Sequence, residues 1–363
     1  MIRIFTLLSL FTVSLSLASI GSVFKSVKAV SEDQAVHRDG GTPFKQKLEA
    51  VEINDRQHWQ IIDTEGTPHP RHEAGFVECA NKLYLLGGRG IKPVDIYDPE
   101  TNAWSHGAEP PIELHHFQPV VWENEIWVVG AMTGPFPRET ALPHIMIYSP
   151  RTDTWRRGPE IPEARRRGAA GAIIRGGRLF MVCGIRNGHW DGWVSWLDSY
   201  DFSTGQWQVL PDAPRARDHF QAVAIDGALY AVAGRRSSVS TRQSFELTIA
   251  EVDRYDFATQ TWKTLPTGSN LPTPRAGNSA FAWGKDVLVA GGESGKQQAA
   301  HDEVEALDTV SGRWRALPPL ARGRHGTGLA ALGGVLYTCS GCGNRGGAPE
   351  LDSLEKLPLE EPK

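Results

Sequence analysis

Apolar residues in this chain arrive in short runs, each closed by small residues. Leu83–Gly88, Ile126–Ala131, Leu179–Gly184, Leu229–Gly234, Val287–Gly292 and Leu336–Gly341 all have this form. Runs this short, rich in branched residues and bounded by glycine, read as strands. Tryptophan lays a period over them. Trp59, Trp104, Trp155, Trp207, Trp262 and Trp314 are spaced 45, 51, 52, 55 and 52 residues apart. Each of the last five follows a turn-like stretch opening at Asp98, Ser149, Asp201, Asp256 or Asp308. Seven residues before those tryptophans stand Tyr97, Tyr148, Tyr200, Tyr255 and Leu307. Short strands, tight turns and a period near 50 predict a β-propeller of four-stranded blades.

The Gly-Gly pair, the later Tyr and the Trp that follows resemble kelch repeats. The resemblance runs from residue 59 to about 359. It implies an all-β, six-bladed kelch β-propeller over residues 56–363. It implies no activity, because one fold hosts enzymes and binding scaffolds alike. Near Ser353–Leu359 the last blade has a third strand but no Trp-bearing fourth. Trp59–Ile62 is an orphan fourth strand at the other end. The N-terminal strand is therefore expected to close the last blade and remove two open sheet edges.

Residues 1–55 carry a different pattern. Arg3 precedes an apolar run from Ile4 to Ile20, and small residues flank a cut after Ala29. That layout predicts a signal peptide over 1–29 and a secreted or periplasmic protein. Residues 30–55 read as a polar tether, and no membrane association beyond the signal peptide is expected. The net charge of −4 excludes a global basic field for nucleic acid. Four cysteines are too few for a disulfide scaffold. Cys339 and Cys342 either pair locally or stay reduced.

The segments between second and third strands vary from 9 to 21 residues, whereas the turns before each Trp are nearly constant. Long variable loops on a rigid scaffold are where binding groups sit. Aligned on the second strand, the blades share a column at the start of strand one: Arg71, Leu114, Arg167, Arg217, Arg275 and Arg324. The next column is His72, His115, Gly168, Asp218, Ala276 and His325. The third is Glu73, His116, Ala169, His219, Gly277 and Gly326. A funnel of arginine would attract a carboxylate, sulfate or phosphate. The same repetition suits a structural role, with each Arg held by carbonyls or by an acidic residue of the neighbouring blade. In the binding reading, Arg217→Ala abolishes ligand binding and barely changes melting. Trp190 and Trp193, beside His189, lie outside the repeat pattern and suit stacking on sugar rings. Trp196 suits sealing the gap between blades.

All seven tyrosines belong to the repeats, so the copper-radical site of galactose oxidase, a related fold, is not expected. The chain is also similar to sialic acid mutarotases in export, blade count and an arginine-rich funnel. That likeness implies acid–base chemistry on a sugar, for which Asp218, His219 and Glu73 are the candidates. A metal among His115, His116, His219 and His325 is not expected, because adjacent strand residues point to opposite faces. No cofactor is expected. The leading expectation is a glycan, acidic or neutral, or another small extracellular ligand in the funnel. A sugar mutarotase or epimerase and a scaffold for an extracellular protein are the alternatives.

Overall fold

The computed structural model describes residues 58–359. The signal peptide and tether lie outside the described residues. Six four-stranded antiparallel sheets make the blades of a kelch-type propeller. Blade 3 is representative, with strands Gly171–Arg175, Arg178–Val182, Leu197–Asp201 and Gln206–Leu210. Letters A to D denote these four strands from the axis outward in every blade. The last blade contains Leu329–Leu332, Val335–Cys339 and Leu354–Pro358, and takes its outer strand from Gln60–Ile61. That closing strand pairs antiparallel, Gln60 with Lys356 and Ile61 with Glu355. Trp59 is buried there against Leu288, Leu329, Leu336 and Leu357.

The repeated residues have specific tasks. Each C-strand Tyr faces the D-strand Trp seven residues later across the ladder, as in Tyr200 with Trp207 and Tyr255 with Trp262. Their ring centroids lie 5.3 and 5.2 Å apart. The indole N–H then reaches into the preceding blade. Trp155 donates to Ala108 O, Trp207 to Glu160 O, Trp262 to Pro211 O and Trp314 to Ser269 O, at 2.8–3.0 Å. The tryptophan period is thus the period of inter-blade bolts. The second Gly of the pair serves close approach. At its blade 3 counterpart, Gly184 after Cys183, φ is +109° and a Cβ would stand 2.7 Å from Gly168 O.

The core is divided among the gaps between blades. Trp127, Val129, Ile147, Ala172 and Leu179 fill the gap between blades 2 and 3. Val223, Tyr230, Ala280, Val287 and Val289 fill that between blades 4 and 5.

Candidate functional site

The third column forms a closed ring about the axis. His116 N donates to Glu73 O, Ala169 N to His116 O, His219 N to Ala169 O, Gly277 N to His219 O and Gly326 N to Gly277 O, and Ala74 N returns to Gly326 O. All six ring residues have positive φ, from +49° to +67°. That backbone favours glycine, and two of the six positions have it. A branched or bulky residue there costs roughly 1–2 kcal/mol. Blades 1, 2 and 4 nevertheless place Glu73, His116 and His219 in it. Strain retained at chemistry-bearing residues points to function.

These side chains meet at the axis. His116, His219 and His189, the last from the blade 3 loop, have ring centroids 4.5–4.9 Å apart. All three are buried. His219 Nδ1 bonds Asp218 Oδ1 at 2.5 Å, and His189 Nδ1 bonds Glu139 Oε1 at 2.8 Å. His116 Nδ1 meets His115 Nδ1 at 2.6 Å, and Glu73 Oε2 lies 3.3 Å from His116 Nε2. Above them opens a cavity of about 380 Å³, lined by His72, Glu73, Arg89, Phe136, His189, Phe245, Glu293 and His325. Glu73, His116 and His219 also line a narrow axial void below it, of about 30 Å³.

Burial and the neighbouring imidazoles push His116 well below the ordinary histidine value. Burial, then Arg89, lowers His115 to about 4. Burial would likewise discharge His325, but Glu293, then the Cys342 side chain and Glu73, outweigh it and raise it to about 9. Burial works against the Glu293 carboxylate, yet His325 and Arg235 bring it down to about 2. Arg235 pairs with Glu293 at 2.5 Å, both buried.

The arginine column does not line this funnel. Arg71, Arg167, Arg217, Arg275 and Arg324 are at most 2% exposed. Each pairs with the first acidic residue of its own blade's C strand: Asp95, Asp198, Asp253, Glu305 and Glu355 respectively. Each also donates to the carbonyl 16 residues on, which closes strand B: Gly87, Cys183, Ala233, Gly291 and Ser340. The buried guanidinium ties strand A to the B–C connection of its own blade, so the expected anion-binding ring is corrected to a structural one. The expectation of an acid in the neighbouring blade is corrected to one in the same blade.

Other candidates divide. Glu73, His116, Asp218, His219, His189 and His325 converge. His72 sits at the cavity rim with Nδ1 2.7 Å from Glu350. His115 is buried behind His116, its Nε2 3.2 Å from Gly134 O. The expectation that His115 and His116 face opposite ways fails, because φ +55° at His116 breaks the strand's alternation. Trp190 and Trp193 do not line the cavity. Arg138 covers Trp190 at 3.7 Å and Arg236 lies over Trp193 at 5.5 Å. Phe136 and Phe245 supply the aromatic wall instead. Trp196 lies against Arg165 and Arg167, which lead into strand A of its own blade. All four cysteines are free and buried.

Glu139, Glu293, Arg89 and Phe245 were not singled out from the sequence. A signal existed for two of them. Residues 17 after the second column, Arg89, Met132, Ile185, Arg235, Glu293 and Cys342, form their own column just past strand B. Charge at three of its positions marks departures that the repeat does not need.

A six-bladed kelch-type propeller with a polar axial funnel is the class that this fold and site define. Residues 39–299 match the family model of the Attractin/LZTR1 β-propeller, and the chain belongs to that family. It is similar to Kelch-like protein terF of Aspergillus terreus, 27% identical over 77% of this chain and 63% of that protein. It is also similar to human Kelch-like protein 23, 23% identical over 79% of this chain and 48% of that protein. The chain thus spans less than two thirds of the length of these curated relatives. The solved structure of YjhT superposes with a TM-score of 0.66 at 16% identity, covering 80% of this chain and 95% of that one. That likeness speaks for the fold.

Proposed function

We propose that this chain is an exported propeller whose axial funnel binds a small polyhydroxylated ligand, a glycan or related sugar. Kelch propellers bind proteins or small ligands, and one observation favours the second here. A cavity of about 380 Å³ brings Glu73, Glu293, Arg89 and His325 together beside the rings of Phe136 and Phe245. Such a pocket, with apolar walls and a few convergent polar groups, suits a small molecule. Aromatic faces pack on the apolar face of a sugar, and carboxylates accept its hydroxyls. The charge balance favours neutral over acidic sugars. Arg89 is paired with Glu139 and Arg235 with Glu293, while the five repeated arginines are withdrawn into blades.

The test is calorimetric titration with neutral hexoses and N-acetylhexosamines beside sialic acid and glucuronate, on wild type and Phe245→Ala. Binding of neutral sugars, weakened at least tenfold in Phe245→Ala, is expected. Binding confined to acidic sugars would refute the charge argument. Silence from the whole panel would shift the reading to a protein partner across the loop face.

A second reading, sugar isomerisation, is favoured by Glu73 Oε1 and His325 Nδ1 standing 4.0 Å apart within the cavity lining. A carboxylate and an imidazole so placed can take and return a proton around a ring-opening sugar. Exchange NMR on a bound sugar distinguishes it. Anomer exchange no faster than in buffer removes this reading and leaves binding.

A further inference from the structure

Three histidines meet at the base of the funnel, and the hydrogen bonds around them assign every proton. Asp218 is an acceptor, so His219 Nδ1 carries the hydrogen in their 2.5 Å contact. Glu139 is likewise an acceptor, so His189 Nδ1 carries it at 2.8 Å. The third case takes one more link. Gly134 O only accepts, so His115 Nε2 is the donor at 3.2 Å. His115 Nδ1 is then a lone pair, and the 2.6 Å contact with His116 Nδ1 makes His116 the donor. In all three rings the remaining nitrogen, Nε2, is left as a bare lone pair.

These rings come from separate parts of the fold. His116 and His219 occupy the strained ring positions of blades 2 and 4. Blade 3, between them, has only Ala169 at its ring position, and its loop supplies His189. One nitrogen from each of the three lies within 4.8 Å of the others. The Nε2 atoms of His116 and His219 are buried and make no hydrogen bond, and the Glu73 carboxylate stands 3.3 Å from that of His116. Buried polar atoms are almost always satisfied, so two orphans side by side need a cause. Unprotonated ring nitrogens gathered this closely, with the Glu73 carboxylate beside one of them, repel one another unless a cation lies among them.

We infer that His116, His189 and His219 form a binding site for a divalent first-row transition metal, with its open coordination positions facing the funnel. Neutral imidazole suits zinc, copper, iron and nickel. Three protein ligands with open positions are the pattern of sites that also take a water or substrate oxygen. Metal-ligating histidines characteristically donate their other ring N–H to a carboxylate or carbonyl, which orients them. Asp218 and Glu139 do this directly, and Gly134 does it through His115. Metal–nitrogen bonds of about 2.0–2.1 Å require each ring nitrogen to move inward by less than about 1 Å. Because Glu73 and His189 line the cavity, a hydroxyl of a funnel ligand has access to the open positions.

A second cluster, His69, Asp95 and His106, lacks this character. Both imidazoles use Nδ1 on Asp95 Oδ1, and Arg71 holds Asp95 Oδ2. It provides the control.

The experiment uses the purified, tag-free full chain after removal of metal with a chelator. Zinc and cobalt(II) are titrated by calorimetry and by visible absorption. One equivalent of each is expected to bind, with cobalt d–d bands and a rise in melting temperature on zinc addition. His189→Ala, in a loop, should weaken zinc at least 100-fold, and Asp218→Asn about tenfold to 100-fold. His106→Ala should leave binding unchanged. Circular dichroism melts establish that each variant is folded. If His189→Ala does not fold, copper(II)-loaded wild type is read by electron paramagnetic resonance, where coupling to imidazole nitrogens is expected. The inference is overturned if wild type binds none of these ions at micromolar concentration. It is equally overturned if binding survives His189→Ala or is lost in His106→Ala, or if copper shows no nitrogen coupling. None of these outcomes depends on which sugar the funnel takes, so this inference and the ligand reading fail separately.

Discussion

Replacing Arg217 with alanine separates the two readings of the arginine column most sharply. A ligand-binding Arg217 would leave the fold intact when removed. The structure gives the opposite expectation. Arg217 and Asp253 are both fully buried, 2.6 Å apart. Arg217 also satisfies the carbonyls of Ala233 and Glu251. Breaking a buried pair strands the remaining charge and costs about 3–5 kcal/mol. Here Arg215 still holds Asp253 Oδ1 at 2.6 Å, so the loss falls at the low end, about 3 kcal/mol. Arg275 has no such understudy. It serves Glu305 and the carbonyls of Gly291, Thr273, Val289 and Glu303. Arg275→Ala should therefore cost about 5 kcal/mol. With an unfolding entropy of about 2.1 cal/mol/K per residue over roughly 300 residues, these become drops of about 5 and 8 °C. Scanning calorimetry gives the midpoints and urea unfolding the free energies. The pair Arg217→Met with Asp253→Leu should recover part of the loss, because it strands no fully buried charge, while the partly exposed Arg215 loses its partner to water. A loss under about 1 kcal/mol for Arg217→Ala, or a larger loss there than for Arg275→Ala, would refute the structural assignment.

Three further expectations follow from the same geometry. Trp59→Ala removes the indole that anchors the closing strand and should cost about 3–5 kcal/mol by urea unfolding; a cost below 1 kcal/mol would mean the closure does not hold the last blade. Gly326→Ala puts a Cβ 2.7 Å from Glu73 N at a φ of +67°, so it should lower the melting temperature by several degrees, and an unchanged melt would contradict the tight axial ring. His325, raised from about 6.5 to about 9, contributes stability that is fully present below pH 6.5 and lost as pH rises through 9. Urea midpoints should fall between pH 6.5 and 9.5 in wild type and stay flatter in His325→Gln; parallel profiles would show that His325 does not carry the effect.

The architecture was legible because each blade repeats one set of local tasks. The turn carboxylates illustrate it. Asp201 Oδ1 accepts from Ser203 N and Asp256 Oδ1 from Ala258 N, bonds two residues long that depend on nothing distant. Each Tyr–Trp pair spans one tight turn, so its spacing of seven is a ladder register written into the chain. The closing strand was legible by subtraction, since one blade lacked a fourth strand and one strand lacked a blade. The site was legible only in part. His115, His116, Asp218, His219 and His325 stood out because no repeat required them, and Glu73 stood beside them as an acid–base candidate. His189 stood out beside two tryptophans suited to sugar stacking, but Arg138 covers Trp190, and neither indole lines the cavity.

Sequence by itself determined the number of blades, their strand order, the closure and the face that carries the variable loops. These rest on interactions within one repeat or between neighbouring repeats, and repetition multiplies the signal. Only the tertiary structure decided what the polar residues do. Arg71 finds Asp95 within its own blade, and nothing in a column of arginines says whether a carboxylate of the protein or of a ligand will face it. His116, His189 and His219 are far apart in sequence and meet because a closed ring of backbone hydrogen bonds turns three blades toward one axis. One ring nitrogen of each lies within 4.8 Å of the others, while Asp218, Glu139 and His115 hold the three Nδ1 atoms. The direction of a side chain at positive φ is a property of the ring, which no single repeat contains.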